Sequence, residues 1–252
     1  LANGVAGHAE DFDDTQLSTS PDRLYGLLTH PTTPVLAATL GVAQEIGASG
    51  KDFLTAMCAG FEVECKIAEA INPDHYVKGH HTTGTIGTFA SVIAASKLWG
   101  LTSKEIRFAI GIAASKSAGI RANFGTMTKP YHAGAAAQNG IISAKLARLG
   151  YEADPMALDG QWGYFQVKGG GSDSERLIGK LGNPYTIINP GVSVKPYPCG
   201  SLSHPSMDTL LDIILEQDIV PDEVAEVRLG AGHNILNPLR YQNPQNELEA
   251  KF

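Results

Sequence analysis

The sequence predicts a mainly α protein: a large all-helical domain followed by a smaller α+β lid. Three observations carry that expectation. Apolar residues recur three and four apart from about Thr33 to Leu149, with no convincing alternating run. Helix caps and stops punctuate the same stretch at helical intervals. After Trp162 the chain turns to glycine-rich turns and short β-branched runs.

In order, Val35 to Ile46 is rich in alanine and leucine and closes near Gly47. Lys51 to Ile71 sets Phe53, Leu54, Met57, Cys58, Phe61, Cys65 and Ala68 on one stripe, and Asn72-Pro73 ends it. Thr83 to Leu98 is crowded with Gly, Ala and Ser, which lets neighbours approach closely and predicts burial on most sides. Thr102-Ser103-Lys104-Glu105 reads as an N-cap with an acidic first turn, opening Ile106 to Ser117. Gly134 to Leu149 is again small and apolar and stops at Gly150. Beyond a flexible Gly169-Gly170-Gly171 turn, Tyr185 to Ile188 and Val224 to Leu229 read as strands. Between them His204-Pro205 to Glu216 reads as a helix with proline in its first turn. A boundary near Asn189-Pro190-Gly191 gives a helical domain over residues 1–189 and an α+β lid over 190–252.

Bulk properties narrow the function. A net charge of −7 without any Lys/Arg run argues against a nucleic-acid partner, so an anionic substrate would need a local basic pocket. Three scattered cysteines do not make a disulfide framework, and Cys58 and Cys65 are expected to face the core as thiols. There is no signal-peptide pattern and no apolar run of about 18 residues, so no membrane partner is expected and the chain reads as cytoplasmic. It begins at Leu1 without Met and ends at Lys251-Phe252 without a helix stop, and so reads as a piece of a longer polypeptide.

The densest chemistry is His8-Ala9-Glu10-Asp11-Phe12-Asp13-Asp14-Thr15, where carboxylates that repel one another must be held by something. A catalytic base, a metal site and a plain turn or N-cap cluster are all open readings. The metal reading lacks a second acidic motif on a facing helix. His80-His81-Thr82-Thr83 is a poor zinc pair, because adjacent histidines point apart. Lys129 lies among Thr126, Thr128, Tyr131 and His132 before an Ala/Gly-rich helix, where backbone N–H groups and the ammonium can bind a carboxylate.

Together these segments resemble the MmgE/PrpD family. The resemblance runs through Ala2-Asn3-Gly4, His8-Ala9, Asp11-Phe12-Asp13-Asp14-Thr15 and His30-Pro31. It continues through Gly60-Phe61-Glu62-Val63, Gly79-His80-His81-Thr82-Thr83-Gly84, Thr126 to Ala136, Lys195-Pro196-Tyr197-Pro198 and Glu249-Ala250-Lys251-Phe252. It implies a helical domain with a lid, a homodimer, a site between the domains, and catalysis without metal or organic cofactor. It also implies catalytic roles for Asp11, His81, Lys129 and Tyr241. Thr15, His30 and Lys195 would bind substrate, with His132 and His204 as further candidates. The family includes 2-methylcitrate dehydratase, cis-aconitate decarboxylase and an iminodisuccinate epimerase. Elimination of water from a 2-hydroxy polycarboxylate is the favoured expectation, with decarboxylation, epimerisation or a non-catalytic carboxylate-binding role as alternatives. Two features depart from the best-known branches: an insertion from Gln16 to Leu28, and Cys199-Gly200 where the decarboxylase branch has a further histidine.

Overall fold

Around a central helix, α5 (Thr82–Leu98), pack α2 (Thr32–Ile46), α3 (Gly50–Ile71), α6 (Ser103–Lys116) and α7 (Thr128–Arg148). A short helix α1 (Ala2–His8) lies against α7, and α4 (Asp74–Val77) follows α3. This computed structural model describes residues 1–21, 26–232 and 239–252, and four residues of the Gln16 to Leu28 insertion, 22–25, lie outside the described residues.

Every residue of α5 from Thr82 to Val92 is buried, as its lack of a polar face predicts. Small residues set the spacing. A Cβ on Gly60 of α3 would lie 2.3 Å from the Ala90 carbonyl oxygen, and one on Gly140 of α7 would lie 2.4 Å from the Ser91 Cβ. Phe61, Ile67, Ile86, Phe89, Val35 and Val42 fill the core between these helices. Cys65 is buried and Cys58 half-buried, both as thiols. Helix α6 starts on a full capping box, with Thr102 and Glu105 satisfying each other's backbone N–H.

Helix α7 begins at Thr128, six residues before the expected Gly134 start. Pro130 does not prevent this, because a first-turn residue has no intrahelical acceptor for its N–H. Lys129 therefore sits in the first turn of the helix, not in the preceding loop.

The C-terminal region departs further from expectation. Residues 185–188 form turns and residues 224–229 are exposed with no ladder partner among the described residues. An isolated strand cannot hold itself without a paired neighbour. The described ladder is instead β1 (Thr15–Gln16) against β2 (Val192–Ser193), antiparallel, which ties the C-terminal region to the acidic segment. Helix α8 (His204–Gln217) forms as expected, and α9 (Glu247–Ala250) comes near the end.

Candidate active site

The site starts where α1 crosses α7. A Cβ on Gly4 would lie 2.7 Å from the Gly134 Cα, so two glycines allow the backbones to touch. That crossing brings His8, last residue of α1, against Lys129. The Lys129 Nζ lies 2.8 Å from His8 Nε2, and His8 Nδ1 lies 2.8 Å from both Asp13 carboxylate oxygens.

Just past α1 the chain turns at Asp11, which has φ +51, a conformation uncommon outside glycine and tolerated best by Asn and Asp. The turn aims its carboxylate back at α7. Lys129 donates to Oδ1 at 2.5 Å and Lys195 donates to Oδ2 at 2.7 Å. All three groups are buried. Lys195 also donates to the Asp11 and Cys199 carbonyl oxygens, both at 2.7 Å. An ammonium has three donors, so Lys195 is fully used by protein acceptors. Lys129 uses two, on His8 and Asp11; its third finds no nitrogen or oxygen acceptor among the described residues, and the ammonium lies 4.8 Å from the Phe252 ring centre and 5.4 Å from that of Phe124.

Burial alone would push the Asp11 carboxyl up, but the charges of Lys129, His30 and Lys195 outweigh it and hold the group well below the usual range. Asp13 is likewise held well below it by His30 and His8 against the cost of burial. The Lys129 ammonium is pushed down by burial and held up by Asp11.

His81 precedes α5 as its N-cap and is buried. Its Nδ1 pairs with His132 Nδ1 at 2.9 Å, while its Nε2 finds no partner among the described residues. Burial, then the charge of Lys129, holds its imidazole neutral, well below the ordinary histidine value.

Asp11, Thr15, His30, His81, Lys129 and Lys195 line one cavity of about 90 Å³. Thr29, Tyr76, Thr83, Phe124, Phe252 and the Gly200–Leu202 segment are among the rest of its wall. Three expected residues lie outside that lining. His132 stands behind His81, His204 contacts the Cys199 carbonyl oxygen at 3.3 Å, and Tyr241 donates to the Phe124 carbonyl oxygen at 3.1 Å. His8, Asp11, Asp13 and His30 bring ligand atoms within 4.8 Å of one another, a spacing that can hold a metal. A cation there would meet the two ammonium groups already on Asp11, so the donor set fits a metal poorly.

Residues 1–177 match the MmgE/PrpD N-terminal domain. The chain belongs to the MmgE/PrpD family. Human cis-aconitate decarboxylase is 37% identical over 169 residues, covering 65% of this chain and 33% of that protein. The Aspergillus terreus cis-aconitate decarboxylase is 30% identical over 195 residues, covering 72% and 39%. A cis-aconitate decarboxylase-like protein of Aspergillus oryzae is 31% identical over 196 residues, covering 74% and 39%. The chain spans between a third and two fifths of the length of these relatives. In this MmgE/PrpD chain, residue-by-residue reading passed over His8 and Asp13 as site members. The signal was present in their five-residue spacing around Asp11, but only the Gly4–Gly134 crossing shows that His8 meets a lysine 121 positions away.

Proposed function

We propose that this MmgE/PrpD chain carries the acid–base site of a lyase for a small polycarboxylate, and that its reaction is a decarboxylation of the cis-aconitate type. The observation that carries this reading is His81 Nε2, a buried and unpaired nitrogen on the wall of a lysine-bearing cavity. Elimination of water, the favoured expectation from sequence, needs a base and an acid on neighbouring carbons. Both Asp11 oxygens already take ammonium hydrogens, and the Tyr241 hydroxyl is outside the cavity lining. Decarboxylation asks for one proton donor, which His81 supplies. The relatives named above point the same way. The Cys199-Gly200 departure leaves the cavity wall at Gly200 without a further imidazole, so in this reading His81 is the proton donor.

In this reading the spare Lys129 N–H holds one substrate carboxylate. A polyanion beside His81 opposes the effects that keep it neutral, so the imidazole takes up a proton as substrate binds. The bond from the methylene carbon to its carboxylate then breaks and CO₂ leaves. The electron pair shifts through the adjacent double bond to the distal carbon, which takes the proton from His81 Nε2. An unsaturated dicarboxylate results, and solvent returns the proton. Phe124 and Phe252 give the departing group an apolar wall, which disfavours a carboxylate and accepts neutral CO₂.

The test is proton NMR of the intact protein in D₂O with cis-aconitate and with 2-methylcitrate. Itaconate carrying one deuterium, with CO₂ release, is the expected result. An olefin from 2-methylcitrate without itaconate would restore the dehydratase, and no turnover of either would remove the proposal's support.

A further inference from the structure

The chain of contacts behind Lys129 has no part in the chemistry above, yet it is buried and complete. His8 is 1% exposed and Lys129 3%. An ammonium only donates, so His8 Nε2 must accept from Lys129 and the imidazole proton must sit on Nδ1. That Nδ1–H faces Asp13, whose carboxylate is fixed in turn by the Thr33 hydroxyl, donating to Oδ2 at 2.7 Å. Each link determines the next: Thr33 orients Asp13, Asp13 selects the tautomer of His8, and the tautomer decides whether Lys129 finds an acceptor or a second donor.

The choice of an imidazole at this position has a physical consequence. A carboxylate would direct the ammonium equally well, but with Asp11 it would overcompensate the charge of Lys129 and repel a polyanion. A neutral imidazole fixes the direction of one N–H and leaves the charge intact. We propose that the Asp13–His8 pair is the positioning device of Lys129, holding one ammonium hydrogen through Nε2 while Asp11 takes another, so that the third is aimed at a substrate carboxylate. The inference rests on the polycarboxylate reading for the identity of the ligand, though not for the geometry.

Asp13→Leu separates this role from simple packing, because it preserves shape and removes both acceptors that face Nδ1. Nothing then holds the imidazole proton on Nδ1, and a proton moved to Nε2 sets two donors face to face at Lys129. Calorimetric binding of tricarballylate, a saturated tricarboxylate, to the intact protein reads the effect. D13L is expected to weaken binding by about 10–100-fold, the range for losing a residue that orients a ligating side chain from behind, with unchanged stoichiometry. H8L should lose as much, and H8Q should recover most of it, since the glutamine carbonyl oxygen can still accept from Lys129. A merely structural pair would lower the stoichiometry and leave the affinity of the folded fraction unchanged. Equal affinity in D13L and wild type, or no difference between H8L and H8Q, would overturn the proposal. If tricarballylate does not bind wild type, the polycarboxylate reading fails by itself. Nitrogen NMR of His8 in the wild-type protein then decides the positioning claim: a proton on Nδ1 supports it, and a proton on Nε2 refutes it.

Discussion

Acidification should destabilise this protein through His8, in a pH window where its carboxylates are still ionised. Burial, and next the Lys129 charge, lower the imidazole from 6.5 to about 4. The unfolded chain therefore binds a proton at His8 below about pH 6.5, whereas the folded chain binds one only below about 4. Between those values the unfolded state holds more protons, so stability falls as pH falls. The stabilisation is intact above about pH 6.5 and fully lost once pH has dropped through about 4. Between pH 7 and 5 this single group should cost roughly 2 kcal/mol, against a total stability of about 5–15 kcal/mol for a typical domain. Because His8 is almost wholly buried, solvent screening takes little from that figure. The comparison is urea unfolding, in a His81→Gln background, of the protein with His8 intact and of H8Q at pH 7, 6 and 5. Glutamine cannot titrate, so the midpoint with His8 intact should fall more than the variant's, by roughly 0.5–1 M urea over that range. Of the other buried histidines, His75, His132 and His204 are common to both proteins and cancel in the difference; His81, whose ring stacks on His8 at 5.6 Å, is replaced by glutamine in both proteins so that its coupling drops out. Parallel slopes for the two proteins would show that His8 is not held neutral by its surroundings, and the tautomer argument would fall with it.

Asp11→Asn should cost about 3–5 kcal/mol, because it leaves two buried ammonium groups without their shared counter-ion; thermal unfolding of the variant at neutral pH measures it, and a loss below about 1 kcal/mol would contradict the pairing. His81→Gln should retain the fold and lower kcat by about 10²–10⁴-fold, read as turnover of cis-aconitate against unchanged circular dichroism. Substrate binding above pH 6 should be accompanied by net proton uptake, seen as a binding enthalpy that depends on the ionisation enthalpy of the buffer, and the uptake should vanish in the His81 variant. Gly134→Ala would put a methyl 2.5 Å from the Leu1 carbonyl oxygen. It should cost about 1–3 kcal/mol by overpacking and reduce activity by more than that, since α1 carries His8 away from Lys129.

The longer helices were legible in the sequence because each carries its own local signals, whereas α1 and α4, seven and four residues long, were not read. The apolar stripe of α3, the capping box before α6 and the all-round small residues of α5 each act within a few turns of chain. The small apolar run that marks α7 begins only at Gly134, whereas the helix itself starts at Thr128 through a polar first turn in which Pro130 costs no hydrogen bond. The strands expected at 185–188 and 224–229 had the right composition but find no partner among the described residues, and strand pairing is a long-range property that composition does not carry.

The same division runs through the site. By itself the sequence determined which chemical groups are present: clustered carboxylates, histidines, and a lysine among hydroxyls inside an acidic chain. Through its resemblance to a family it also placed Asp11, Thr15, His30, His81, Lys129 and Lys195, all of which line one cavity. Only the tertiary structure decided how those groups are committed. Lys195 spends its three donors on Asp11 and Cys199, His132 stands behind His81, and His8 is locked between Asp13 and Lys129. A residue's type fixes how many hydrogen bonds it can make and what charge it can carry. Which partners use that capacity depends on distances between residues more than a hundred positions apart, and here those were set by two glycines where α1 crosses α7.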